Sequence, residues 1–294
     1  MDAIEYIPDI KSVLYHNYTK LTEMLENKGK MRGIPTGFTE LDKLLHGLQP
    51  KTLTLIGARP AMGKTSFALN IVRHVAVKEK KPVLIFSGGI SKEELVNRIV
   101  CSEAGINFEK ICSGEFTNDD RDKFLSVIES LSDAHIYIDD TPFISIEELA
   151  SKAKRLKSEN DIELIVVDYI QLINNDKRLK RQFNLAEISG LLKKLANELS
   201  IPIIAISQLS RATEGRKDHR PMLSDLRMNK RDVIENYADT IILLYRDEYY
   251  NSETTDKPNI AECIVAKNKM GETGMFEMSW LGKYVSFYNL EEKS

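Results

Sequence analysis

The sequence predicts an α/β fold: a mostly parallel, twisted sheet with helices on both faces, an antiparallel C-terminal extension, and a leading helix ahead of the main body. Three observations carry this. Short, almost wholly apolar runs at 53–57, 83–87, 164–168 and 203–207 alternate with helix-like stretches, and strands apolar at nearly every position are buried on both faces, as in parallel sheets covered by crossover helices. A glycine-bearing turn joins the first of these strands directly to a helix. The last β-like runs follow one another without helices between them, which suits antiparallel pairing.

Taken in order, residues 8–28 read as a helix. Pro8 suits a first-turn position, and Ile10, Val13, Leu14, Tyr18, Leu21 and Leu25 recur at three- and four-residue steps. The stretch from Gly29 to Gly33 breaks the pattern, so residues 1–32 are set apart from a main domain of residues 33–294. The helix docks either on its own domain or on a neighbouring subunit. Strand 53–57 leads into a helix over 64–79, and strand 83–87 into a helix opening at Ser91, with Glu94 at capping-box spacing. Helices near 118–132, 145–158 and 184–199, and a strand near 135–138, complete the alternation. Four β-like runs, Thr240–Tyr245, 260–266, 275–280 and 284–288, close the chain. Trp280, Tyr284, Phe287 and Tyr288 in these runs read as packing residues.

With 294 residues, 42% of them hydrophobic, the chain can bury a large core without staples. Its three cysteines, Cys101, Cys112 and Cys263, form no CxxC pair, which argues against a disulfide scaffold or zinc ribbon and fits a reducing cytosol. No apolar run approaches about 20 residues and the N-terminus is acidic, so a cytoplasmic protein without membrane span or secretory signal is expected. A net charge of −3 excludes a wholly basic nucleic-acid binder. It leaves room for local positive charge on one surface. The five histidines are scattered and suggest no metal cluster.

The most specific motif is the run Ala58, Arg59, Pro60, Ala61, Met62, Gly63, Lys64, Thr65, Ser66. It follows a predicted strand and opens a predicted helix, the context in which a Walker A phosphate loop works. Gly63 lets the backbone approach a phosphate, and successive N–H groups at the helix N-terminus supply positive potential. Lys64 reaches the β- and γ-phosphates of ATP, and the Thr65 hydroxyl ligates Mg²⁺. The strict pattern would begin with glycine where this chain has Ala58. The second component is Leu164–Asp168, four apolar residues that deliver a carboxylate to the C-terminal edge of the sheet. Asp168 is thus the Walker B acid for the metal. Gln208, at the end of the 203–207 strand, is read as a γ-phosphate sensor that relays to the following loop. Tyr245, Arg246 and Tyr249 are candidates to border the adenine base.

These residues, in this order, resemble the motor domain of the DnaB-type replicative helicases, a branch of the RecA-like P-loop NTPases. The resemblance runs through residues 33–42 (GIPTGFTELD), 58–70 (ARPAMGKTSFALN), 167–172 (VDYIQL), 207–211 (SQLSR), 220–227 (RPMLSDLR), Ala238 with Asp239, and 244–250 (LYRDEYY). It implies a RecA-like domain in a homo-oligomer, a hexameric ring with ATP between subunits, a linker helix docked on the adjacent subunit, and single-stranded DNA threading the centre. ATP hydrolysis would drive 5′ to 3′ translocation. The family's N-terminal domain, which handles primase and the helicase loader, is not expected here, because the chain starts at what looks like the linker helix. Helicase loader, primase or a replicative helicase are the further partners the resemblance implies.

Two loops carry concentrated positive charge. One includes Lys177, Arg178, Lys180 and Arg181; the other runs from Arg211 to Arg231 and includes Arg216, Lys217, Arg220, Arg227, Lys230 and Arg231. Both leave the edge that RecA-like proteins turn toward the pore. Phosphate contacts of this kind give sequence-independent, salt-sensitive binding, and the resemblance places Arg227 on the DNA backbone.

The chain departs from the family pattern at three places. Gly89 stands where the family carries the glutamate that polarises the attacking water, with Glu93 and Glu94 about one helical turn further on. Of the family's Lys-x-Arg pair, offered to a neighbouring subunit as an arginine finger, Lys267 matches and Lys269 replaces the arginine, bringing charge without the planar fork. Residues 228–231 make the second basic loop longer and more basic. A catalytically weakened ATP-binding ring, or an accessory factor of a replicative helicase, is therefore the alternative to an ATP-dependent DNA helicase motor.

Overall fold

The structure, a computed structural model, describes residues 9–26, 31–173, 184–227 and 233–290. Residues up to Arg32 and those from Gly33 onward are two compact units. The first contains α1 (Ile10–Glu26), whose start is capped by Asp9: its carboxylate accepts from the Ser12 N–H at 2.9 Å and the Ser12 hydroxyl at 2.5 Å. Ile10, Val13, Leu14, Tyr18, Leu21 and Leu25 are exposed.

The second unit opens with α2 (Thr39–Leu45), β1 (Leu53–Ala58), α3 (Lys64–Arg73), β2 (Val83–Ser87), α4 (Lys92–Ala104), α5 (Phe108–Ser113), α6 (Asn118–Ser132) and β3 (Ile136–Asp139). It continues through α7 (Ile146–Asn160), β4 (Leu164–Asp168), α8 (Leu185–Leu199), β5 (Ile203–Gln208), β6 (Thr240–Tyr245), α9 (Asp247–Tyr250), β7 (Ile260–Asn268), β8 (Gly274–Leu281) and β9 (Ser286–Asn289). These strands form one sheet in the order β3-β2-β4-β5-β1-β6-β7-β8-β9. Pairing is parallel from β3 to β6 and antiparallel from β6 to β9, as the sequence pattern predicts.

Because side chains alternate across a strand, each central strand feeds two cores. Ile56, Ile85, Val166 and Ile206 join α2, α3 and α4 on one face; Leu55, Leu84, Ile165 and Ile203 join α7 and α8 on the other. Leu192 and Leu195 of α8 are buried there, each fully buried leucine contributing about 2 kcal/mol. Among the described residues no helix is long and apolar enough to cross a membrane.

Three local differences from the sequence pattern have physical reasons. The helix expected over 64–79 is α-helical only to Arg73 and then widens into a π turn over His74–Lys78. The run at 284–288 is not one strand: a 3₁₀ turn, Gly282–Tyr284, is followed by Val285 at φ 47°, and β9 starts at Ser286. Ser91 caps α4 by accepting from the Glu94 N–H at 3.3 Å, but the Glu94 carboxylate turns to Arg98 rather than closing a capping box.

β9 matters to what precedes it. The Phe287 N–H donates to Asn70 Oδ1 at 2.7 Å, and Asn70 Nδ2 donates to Ser102 Oγ and Ser286 Oγ at 2.9 and 3.1 Å. This buried polar knot joins α3, α4 and β9. Phe287 meets Phe67 of α3 edge-on, with centroids 5.7 Å apart.

Candidate nucleotide-binding site

In a parallel sheet every strand ends on the same side, and ligands bind at that carboxyl edge. Here Ala58 is in register with Gln208, and Ser87 with Asp168. The 59–66 turn, Gln208, Asp168 and the 87–90 turn therefore share one edge. This is the set that sequence reasoning assigned to the phosphates and metal.

The turn is held from below. Met62 is buried in the core, Ala61 and Gly63 have left-handed backbones at φ 61° and 94°, and a Cβ on Gly63 would stand 2.7 Å from Phe287 Cζ. Only glycine fits that cradle. Arg246 Nη1 donates to the Ala61 carbonyl at 3.2 Å while its guanidinium lies 4.9 Å from the Trp280 ring centre. Burial holds Arg246 below its ordinary pKa. Of the three residues expected to border the base, Arg246 touches the loop, Tyr245 is buried with its hydroxyl on Asp247, and Tyr249 is exposed.

Lys64 Nζ donates to the Arg59 carbonyl at 3.0 Å. Burial, outweighing the attraction of Asp168, pushes its pKa down to about 8. Thr65 Oγ1 donates to Asp168 Oδ2 at 2.6 Å. Burial raises the Asp168 pKa, against the Thr65 hydrogen bond and the charges of Lys64 and Arg98. A buried carboxylate beside a hydroxyl, both oxygen donors at a phosphate loop, is the donor set of a hard divalent cation such as Mg²⁺. The residues fit that ion.

Arg59 is a phosphate-loop residue whose side chain turns away from the lysine: Nη1 donates to the Leu209 carbonyl at 2.7 Å, and Nε and Nη2 to Glu214 Oε1 at 3.1 and 2.5 Å. Pro60 is exposed and Ser66 buried. The backbone of Gln208 is gripped by Gln171, which donates to the Gln208 carbonyl at 3.1 Å and to Ser207 Oγ at 2.9 Å and accepts from the Gln208 N–H at 3.3 Å.

Gly89 sits in the turn after β2, where the Gly88 N–H donates to the Asp168 carbonyl at 3.0 Å. A Cβ there would lie 3.0 Å from Leu172 Cδ1 and 3.5 Å from Tyr169 Cε1. The nearby Glu94 accepts from Arg98 Nε and Nη2 at 3.1 and 2.7 Å. Arg98, whose charge acts on Asp168, went unassigned in the sequence; its i,i+4 spacing from Glu94 was the available signal.

The structure does not bring Lys267 and Lys269 to this edge. Lys267 is in register with Ile241, and Ile241 with Leu55, about 10 Å of strand before the loop at 3.3 Å per residue. Lys267 Nζ donates to the Glu235 carbonyl at 2.5 Å, and Lys269 Nζ lies 3.3 Å from Asp239 Oδ1. Burial, and the charge of Lys269, keep Lys267 below its ordinary pKa. Arg227 Nε donates to Glu235 Oε1 at 2.6 Å. Of the other basic residues in that loop, Arg216 pairs with Asp225, and Arg220 with Glu262, so both serve the loop's own architecture. Lys177, Arg178, Lys180, Arg181, Lys230 and Arg231 lie outside the described residues. Among the described residues no group of His, Cys, Asp and Glu forms a separate metal cluster.

Comparison with known proteins converges on one family. Residues 33–289 match the DnaB-like helicase C terminal domain. The Replicative DNA helicase DnaB of Geobacillus stearothermophilus is 46% identical over 288 residues, 97% of this chain and 63% of that protein. The Replicative DNA helicase DnaC of Bacillus subtilis (strain 168) is 45% identical, again over 97% of this chain and 63% of its own length. This chain thus spans somewhat under two thirds of these relatives. Among solved structures, an ATPase domain solved by itself superposes with a TM-score of 0.89 at 35% identity, covering 97% of this chain and all of that one. A DnaB-like replicative helicase whose structure was described with its interactions with primase gives 0.85 at 36% identity, over 97% of this chain and 68% of that one.

Proposed function

Because the chain belongs to the DnaB-like helicase C-terminal domain family, we propose that it is the ATP-dependent motor of a replicative DNA helicase, acting as a homo-oligomeric ring on single-stranded DNA. The observation that carries this is the edge shared by Lys64, Thr65, Asp168 and Gln208, together with the distance of Lys267 and Lys269 from it. Backbone N–H groups of residues 59–65 cradle the phosphates of ATP, and Lys64 exchanges the Arg59 carbonyl for a phosphate oxygen. Thr65 and Asp168 hold Mg²⁺, which neutralises phosphate charge. Gln208 faces the γ-phosphate, and Arg246 borders the base. Lys267 and Lys269 lie too far along the sheet to serve their own nucleotide, so each completes the site of an adjacent subunit, and α1 docks on that neighbour.

DNA is held by Arg227 with Lys230, Arg231, Lys177, Arg178, Lys180 and Arg181, whose contacts are sequence-independent. A hexameric ring, a cytoplasmic location and contacts with primase and a loader follow from the same reading. The names of the relatives favour a motor over a weakened accessory ring. ATP hydrolysis with and without single-stranded DNA tests the choice: DNA-stimulated turnover of order 1 s⁻¹ or faster, lost in Lys64→Ala, supports the motor. Nucleotide-dependent assembly without turnover would return the accessory reading.

A further inference from the structure

The phosphate loop is wired to the segment after β5 by one buried side chain. Arg59 is 8% exposed, and a buried guanidinium has to keep its hydrogen bonds. Its partners, the Leu209 carbonyl and Glu214 Oε1, both lie in the stretch that carries the basic residues from Arg211 to Arg227. Its carbonyl receives Lys64 Nζ. Further along, the Ser210 N–H donates to the Asp225 carbonyl at 2.8 Å, and Arg216 pairs with Asp225, two residues from Arg227. An unbroken line of contacts therefore leads from the phosphate-binding lysine to the base of the basic loop.

We propose that Glu214 is a positioning residue: by holding Arg59, it makes the conformation of residues 209–227 follow what Lys64 grips. The inference rests on the nucleotide-binding reading above and assigns a side chain to the relay. A triphosphate competes for the Lys64 ammonium with oxygens more strongly charged than a peptide carbonyl. The carbonyl of Arg59 is then released, its peptide turns, and the guanidinium shifts with it. Leu209 and Glu214 must follow, because neither end of the buried cation can be left unpaired. Glu214 is the accessible end of the link: its side chain is 49% exposed, against 9% for that of Arg59, so neutralising it disturbs folding little.

The test is limited trypsin digestion of the full chain, which offers Arg211, Arg216, Lys217 and Arg220 as cleavage sites. Digestion is run with and without Mg²⁺ and adenylyl imidodiphosphate, with affinity for that nucleotide measured by calorimetry. In the parent, nucleotide changes cleavage at these sites by about tenfold, since cleavage follows local opening. In Glu214→Gln the change falls below about twofold while nucleotide affinity stays within about threefold and the melting temperature is unaltered. Glu214→Asp, which keeps the charge, restores part of the response; a merely structural contact would not give this pattern. The proposal is overturned if Glu214→Gln keeps the parental response, or if a parent that binds nucleotide shows none. A parent that binds no nucleotide overturns the phosphate-loop reading and this inference with it, and calorimetry registers that separately.

Discussion

Thr65 Oγ1 and Asp168 Oδ2 stand 2.6 Å apart, joining the first turn of α3 to the end of β4 across the intervening strand β5. Two residues 103 positions apart in sequence thus form one oxygen-donor pair. Burial raises the pKa of the Asp168 carboxyl in spite of Thr65, Lys64 and Arg98. The folded chain therefore holds that proton more tightly than the unfolded one, and stability falls as pH rises through the raised value. Asp168→Asn keeps an acceptor for Thr65 and removes the desolvated charge. The melting temperature of the nucleotide-free protein should rise near neutral pH while Mg²⁺-dependent ATP hydrolysis disappears. A lower melting temperature in denaturation scans would count against this account.

Lys64 sets a pH limit on nucleotide affinity. Its pKa is about 8 without ligand, and a triphosphate favours the charged form, so binding above that pH requires proton uptake. Affinity for Mg-ATP should be level below pH 8 and then fall by up to about tenfold per unit as pH rises. Calorimetry in buffers of different ionisation enthalpy would show the proton, and Lys64→Met should lose both the affinity and this dependence. In stability the sign is reversed: the unfolded chain binds the extra proton between pH 8 and the lysine's ordinary value, so the unliganded parent gains on Lys64→Met across that window.

Gly63→Ala places a methyl group 2.7 Å from Phe287 Cζ on a backbone at φ 94°. Left-handed strain of about 1–2 kcal/mol for a residue with a Cβ adds to the clash, and Phe287 is itself buried. The variant should unfold at lower denaturant concentration than the parent and bind no nucleotide. Gly105→Ala, also left-handed but with nothing within 4 Å, should show the strain alone.

Gly89→Glu restores a carboxylate at the turn beside Asp168. The nearest obstacle to its Cβ is the end of the Leu172 side chain at 3.0 Å, which can yield. Turnover should rise by about 10² or more, the usual contribution of a positioned base, with KM for ATP little changed. Unchanged and vigorous turnover would mean that another carboxylate already orients the water, and Glu94→Gln would then be the variant to assay.

Arg227→Ala should weaken single-stranded DNA binding to a similar degree on every sequence and lower the salt slope by about 0.7 for each phosphate no longer neutralised. It also leaves Glu235, whose Oε2 is buried without a hydrogen-bond partner, without its cation. Binding isotherms over a range of salt concentrations separate the DNA effect from any decrease in folded protein.

The parallel strands, the phosphate loop and Asp168 were legible because each has a local signature: a wholly apolar run, a glycine before Lys-Thr, a carboxylate at a strand end. Distances along the sheet were not. Lys267 and Lys269 carry no mark of lying beside the start of β1, since that follows from the antiparallel register of β7 on β6. The basic run from Arg211 to Arg231 also read as more uniform than it is. Arg216 and Arg220 are taken by Asp225 and Glu262, the latter some forty positions away in sequence. Short helices such as α2, α5 and α9 lack enough turns to show a period. The RecA-like architecture was recoverable from motif order, whereas the Arg59–Glu214 contact depends on a buried guanidinium with no sequence pattern of its own.

β9 also governs when the chain becomes competent during synthesis. Asn289 accepts from the Thr39 N–H and donates to the Gly37 carbonyl, both at 2.9 Å, while Phe287 and Ser286 close over α3 and α4. A ribosome-bound chain that has emerged through β8 already carries every phosphate-loop residue, yet the apolar side of the helix those residues begin is still uncovered. Prematurely terminated products should therefore be captured by chaperones or degraded, and should not compete with finished subunits for nucleotide.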